Sequence, residues 1–300
     1  MSGYNNEEYE NLVKDIIHDV FYTDSSRRGQ ISRIRSYTEV IVRKVLDISS
    51  EEKVTLGDKK IIKQLKKVSD NNPMLLESID TIRQYGNDCT HTQNIDEITE
   101  EVFKKCTDSL FNLYSYLFIS YFKKYKFGEN LEILSSFSIL PPIIRHITLS
   151  HLYENDKENI NIIDKLSLAI LKAFDKQEAL KWLEDRKDLF SKISPISEKR
   201  ASEIKDKYGE KCLEETISQA PLNIYVDCID RIRSVADVIE QNGKLYKDFE
   251  SAKELYEKKG HIDGDSLEAK EFNSIMEFAY LGRKVIKNEK LNNLDKYIVP

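Results

Sequence analysis

Apolar residues recur at spacings of three and four through most of this chain, the period of an amphipathic helix. The first such stretch is Glu7–Val20, where Tyr9, Leu12, Val13, Ile16, Ile17 and Val20 share one face. After a polar connector at Asp24–Gly29, Ile31, Ile34, Tyr37, Ile41, Val45 and Ile48 predict a second helix over Ile31–Ile48. A third, Leu56–Val68, sets lysines opposite its apolar stripe, and Asn71-Asn72-Pro73 separates it from a fourth, Met74–Tyr85. Asn94–Tyr125 reads as one long helix, opened by Asn94 or Asp96 and apolar on more than one side between Leu110 and Phe122. A surface of that kind predicts either the centre of a bundle or self-association as a homodimer.

Lys126–Asn130 interrupts the long helix and predicts a domain boundary, with a helical bundle over residues 1–127 and a second domain over 128–300. In the second domain Pro141-Pro142 opens a helix. Further segments follow at Ile160–Phe174, Lys176–Phe190, Ser197–Lys207, Pro221–Gln241, Leu245–Lys259 and Leu267–Lys287. Gly128, Gly209, Gly243 and Gly260 punctuate them. The pattern predicts an array of helical hairpins without the period of a named solenoid. Six prolines and ten glycines in 300 residues, and no long Val/Ile/Thr alternation, point the same way. The expected fold class is all-α.

Charge changes the picture of partners. The formal net charge is −6, which argues against a chain that coats nucleic acid through bulk electrostatics. Residues 128–300 carry 27 basic and 32 acidic side chains and so hold most of that excess. An acidic helical array is expected to take a protein partner with a basic surface. Lys59, Lys60, Lys63, Lys66 and Lys67, at helical spacing, are the main basic cluster of the N-terminal half. With Arg33 and Arg35 they form the expected nucleic-acid face.

Cys89, Cys106, Cys212 and Cys228 lack close paired spacing, so no metal site, cofactor or redox pair is expected from them. His146 and His151 are out of phase for a helical metal pair, and His261–Asp265 has too few ligands for a calcium loop. No apolar run is long enough to span a bilayer, and the polar beginning of the sequence is unlike a signal peptide. A cytoplasmic protein without membrane contact is expected.

The densest candidate chemistry lies in Ile79–Gln93. A helix is expected to break at Gly86-Asn87 and gather Arg83, Asn87, Asp88 and His91 around one corner. Two readings compete. In one, Arg83 pairs with a carboxylate and His91 satisfies a buried carbonyl. In the other, Arg83 holds a phosphate while His91 moves a proton.

The first 126 residues carry a helix with Arg33-Ile34-Arg35-Ser36-Tyr37-Thr38-Glu39, then Ile82-Arg83-Gln84-Tyr85-Gly86-Asn87-Asp88-Cys89-Thr90-His91, then a long helix. This order resembles the HEPN superfamily of four- to five-helix bundles. It is similar to a defence-associated branch with an Ile-Arg-x-x-Gly-Asn-x-x-x-His signature, whose positions Arg83, Gly86, Asn87 and His91 occupy. The resemblance implies a module of a bacterial or phage defence or counter-defence system. Many members are metal-independent ribonucleases that pair an arginine and a histidine across a dimer, four to six residues between them. Arg83 and His91 have seven between them. The expectation is therefore a non-enzymatic interaction module, with an endoribonuclease using Arg83 and His91 as the alternative.

Overall fold

The computed structural model describes residues 3–91, 94–244 and 246–287. Thr92 and Gln93, at the end of the stretch singled out above, and Leu245, the expected start of a helix, lie outside the described residues. The described residues form α-helices joined by short connections, without a strand among them. They divide into two compact units. One joins the chain up to Lys126 with Lys253–Lys287, and the other is Phe127–Ala252.

The first unit opens with a 3-10 turn and α1 (Glu10–Phe21), followed by α2 (Arg27–Leu46), α3 (Lys59–Val68), α4 (Pro73–Thr90) and α5 (Glu100–Lys124). The last four begin where the sequence supplies a cap, whereas α1 has no side-chain cap. The Ser26 hydroxyl accepts from the Gly29 amide, Asp58 from Lys60, Asn72 from Leu75 and Thr99 from Val102. Thr99, rather than Asn94 or Asp96, starts α5. Helices α1, α2, α4 and α5 pack together around Val13, Ile17, Ile31, Ile34, Tyr37, Leu75, Ile82, Leu110 and Leu113, while α3 lies on α2 through Ile61 and Leu65.

Unit two contains α6 (Leu131–Phe137), α7 (Pro142–Asn155), α8 (Ile160–Ala173), α9 (Lys176–Glu184) and α10 (Lys187–Phe190). It continues with α11 (Glu198–Tyr208), α12 (Glu210–Gln219) and α13 (Ile224–Asn242). α8 is its centre, packed by α7, α9 and α13. Asn159 caps α8, and Ile162, Ile163, Leu166, Ala169 and Ile170 are buried along it. Trp182 of α9 meets Tyr153 of α7 and Phe190 of α10 at ring-centroid distances of 5.5 and 5.4 Å and so ties the three helices together. The expected single helix over Lys176–Phe190 is two, α9 and α10, and α6 and α12 are helices the sequence pattern did not separate.

After α14 (Phe249–Lys259), which contains the division between units, α15 (Leu267–Tyr280) returns to the first unit. This return is absent from a sequence division at 127/128. α15 lies against α5, with Phe272 at 5.2 Å from Tyr121 and 6.1 Å from Phe118. Phe272, Met276, Phe278 and Tyr280 are buried. The chain itself thus covers part of the apolar surface of α5 that predicts a partner.

Candidate functional site

The expected corner at Gly86-Asn87 is not there. α4 runs without a break to Thr90, and His91 is its C-cap in extended backbone, its amide donating to the Asn87 carbonyl at 3.0 Å. Gly86 is helical and buried, and its role is clearance. A Cβ there would come within 2.6, 2.7 and 2.9 Å of Arg35 Cδ, Cβ and Cγ. Glycine is required because α2 crosses α4 closely at this point, with the stem of Arg35 lying over it.

Arg35, and not Arg83, is the residue this geometry centres on. Its Nε donates to Asn87 Oδ1 at 3.0 Å and its Nη1 lies 3.2 Å from Glu39 Oε1. Burial pushes the Glu39 carboxyl up from its ordinary value, against the opposing pull of Arg35 and Arg43. Asn87 therefore orients an arginine of the neighbouring helix.

Arg83 turns back along α4. Its Nη2 and Nε donate to Asp80 Oδ1 at 2.6 and 3.1 Å, and Gln84 completes the other carboxylate oxygen at 2.5 Å. His91 is exposed, and its ring has no hydrogen-bond partner among the described residues. Eight positions separate the two, about 12 Å along the helix axis, and Arg83 is turned toward Asp80, a turn earlier in α4. The buried carbonyl expected to receive His91 is absent. Asp88 is exposed, and its backbone carbonyl accepts from Arg28 Nη1 at 3.0 Å. Arg28 Nη2 reaches the Asp96 carbonyl at 2.7 Å. Arg28 was read as part of a polar connector. The sequence signal for its place is Ser26, whose capping starts α2 at Arg27.

The basic residues divide in the same way. Arg33 is held by Asp19 at 3.0 Å, and Arg35 is engaged as described, so neither presents an unoccupied guanidinium. The five lysines of α3 differ. At 3.6 residues per turn Lys59, Lys60, Lys63, Lys66 and Lys67 fall within an arc of about 120°. Opposite them Ile61 and Leu65 are buried. All five are exposed, and none forms an ion pair among the described residues. That arc is a concentrated positive surface in a chain of net charge −6.

Among the described residues no group of three or more His, Cys, Asp or Glu side chains could hold a metal ion, and no helix is long and apolar enough to cross a membrane. All four cysteines are free thiols, and burial pushes those of Cys106 and Cys228 up to about 12. No family model, curated protein or solved structure matches this chain.

Proposed function

We propose that this protein is a non-enzymatic, HEPN-like helical interaction module of a bacterial or phage conflict system. In this reading the lysine face of α3 meets the phosphate backbone of a nucleic acid. The observation that carries the reading is five exposed lysines on one helix face without acidic partners among the described residues. Ordinary surface lysines on a helix are interleaved with carboxylates one turn away, as Lys14 is with Glu10 and Lys105 with Glu101. α3 lacks that neutralisation.

The divergence of Arg83 and His91 supports a binding role over cleavage. A metal-independent ribonuclease needs its arginine at the phosphate and its histidine on the attacking hydroxyl. Here Asp80 holds the arginine and the histidine stands two turns away. The unit of residues 127–252 is proposed to take a protein partner. It carries 18 basic and 23 acidic side chains, and on its α11–α12 hairpin Tyr208 and Ile217 stand exposed while α12 buries no residue.

The test is binding of labelled RNA and DNA to the full chain, with Lys60→Glu, Lys63→Glu and Lys67→Glu combined. The triple change should abolish binding at moderate salt while the helical spectrum stays unchanged. Undiminished binding would remove α3 as the contact surface. Cleavage that continues in chelator and stops in His91→Ala would establish the ribonuclease reading instead.

A further inference from the structure

The second unit is acidic overall but contains a cavity lined by cations. A cavity of about 50 Å³ is lined by Ser138, by Pro142 and Arg145 of α7, by Lys172 near the end of α8 and by the last turns of α13. The segment that follows α13 adds Lys244 and Lys247. Four cationic side chains line it and no carboxylate does. Val235, Val238 and Ile239, with Gly243 and Tyr246, complete the wall.

The cations are placed rather than loose. Arg145 is buried, and its Nε donates to the Leu140 carbonyl at 2.8 Å, which sets the plane of the guanidinium. Lys244 donates to the Phe174 carbonyl. Lys172 is half-buried and forms neither an ion pair nor a hydrogen bond among the described residues. Behind the wall lies Asp164. Its Oδ2 is 2.8 Å from Arg231 Nη1 and 4.0 Å from Lys165 Nζ, while its Oδ1 is buried without a hydrogen-bond partner among the described residues, and it forms no ion pair with Lys172 there. Burial first, and then repulsion from Arg145, Lys165 and Arg231, pull the Lys172 ammonium down to about 7. Cations gathered around a partly dry cavity that no carboxylate lines cost free energy that an anion would recover.

We propose that this cavity binds a phosphoryl anion, either inorganic phosphate or the phosphate of a small monoester. A cavity of this size holds a few water-sized groups, which fits one tetrahedral oxyanion and not a polymer. A planar guanidinium beside ammonium groups is the donor set that phosphate oxygens prefer, and a dianion balances several cations better than one carboxylate does. The net negative charge of the unit excludes polyanions and leaves small ones. The site lies on a different unit from the lysine face of α3 and does not depend on that proposal.

The experiment is calorimetry and thermal unfolding of the full chain with inorganic phosphate and, separately, glycerol phosphate, each at about 10 mM against chloride of equal ionic strength. Saturable binding with a raised melting temperature is expected from phosphate. Tighter binding of the ester would identify a monoester as the ligand, and tighter binding of the free ion would identify phosphate. Lys172→Met should weaken binding about tenfold or more. Lys247→Glu, an exposed change that leaves the core untouched, should weaken it in the same direction, while Lys211→Met on α12 should have no effect. Stabilisation reproduced by chloride, or binding that survives both Lys172→Met and Lys247→Glu, would overturn the assignment.

Discussion

Single residues carry two predictions that separate the structural roles of the signature positions. Gly86→Ala drives a methyl group into the stem of Arg35, whose Cβ cannot move without moving α2. It should destabilise the protein by about 1–3 kcal/mol, the range for overpacking a close contact, measured by urea unfolding. His91→Ala removes an exposed ring at a helix end and should change stability by less than about 0.5 kcal/mol in the same assay. Lys172 supplies a pH dependence. Its folded value of about 7 lies below the ordinary value of 10.5, so well below pH 7 the native state bears this half-buried charge in full. Between these values the native state has released a proton that the unfolded chain still holds, so stability should rise with pH across that window. Lys44, pulled down to about 8 chiefly by burial, acts in the same direction. Lys172→Met should flatten the Lys172 part of the rise and leave the Lys44 part. A stability profile identical to that of the wild-type chain from about pH 7 to about pH 10 would contradict the burial of this charge.

At the scale of elements, what was legible in the sequence was local. The lysine face of α3 and its opposed Ile61 and Leu65 repeat within three turns, so periodicity alone fixes them. The helical character of the described residues was legible for the same reason. Gly86 was misread because glycine followed by asparagine is equally the mark of a helix end and of a close helix crossing. Only Arg35, on another helix, decides between them. For α5 the aromatic surface is visible in the sequence, but not that Phe272, on the last described helix, meets Phe118 and Tyr121. Phe272→Ala should therefore cost about 3–5 kcal/mol, the price of deleting a buried aromatic, in denaturant unfolding of the full chain. A cost below about 1 kcal/mol would mean that α15 does not seal that surface.

For the whole molecule, the two units divide the charge. The first sets a lysine face on α3 apart from its paired arginines, and the second is acidic overall but contains a cavity lined by cations. Because Lys253–Lys287 belongs to the first unit, a fragment ending at residue 127 would strip Phe272 from α5 and report on a damaged bundle. Nucleic-acid contact has to be measured on the full chain. The most direct measurement is fluorescence anisotropy of a labelled single-stranded RNA and a DNA duplex across a salt series. If the lysines of α3 neutralise phosphates, the logarithm of affinity should fall against the logarithm of salt with a slope of about −3 to −5. The Lys60→Glu, Lys63→Glu, Lys67→Glu chain should lose both binding and slope. A wild-type slope near zero, or a triple variant that binds as the wild type does, would contradict the account.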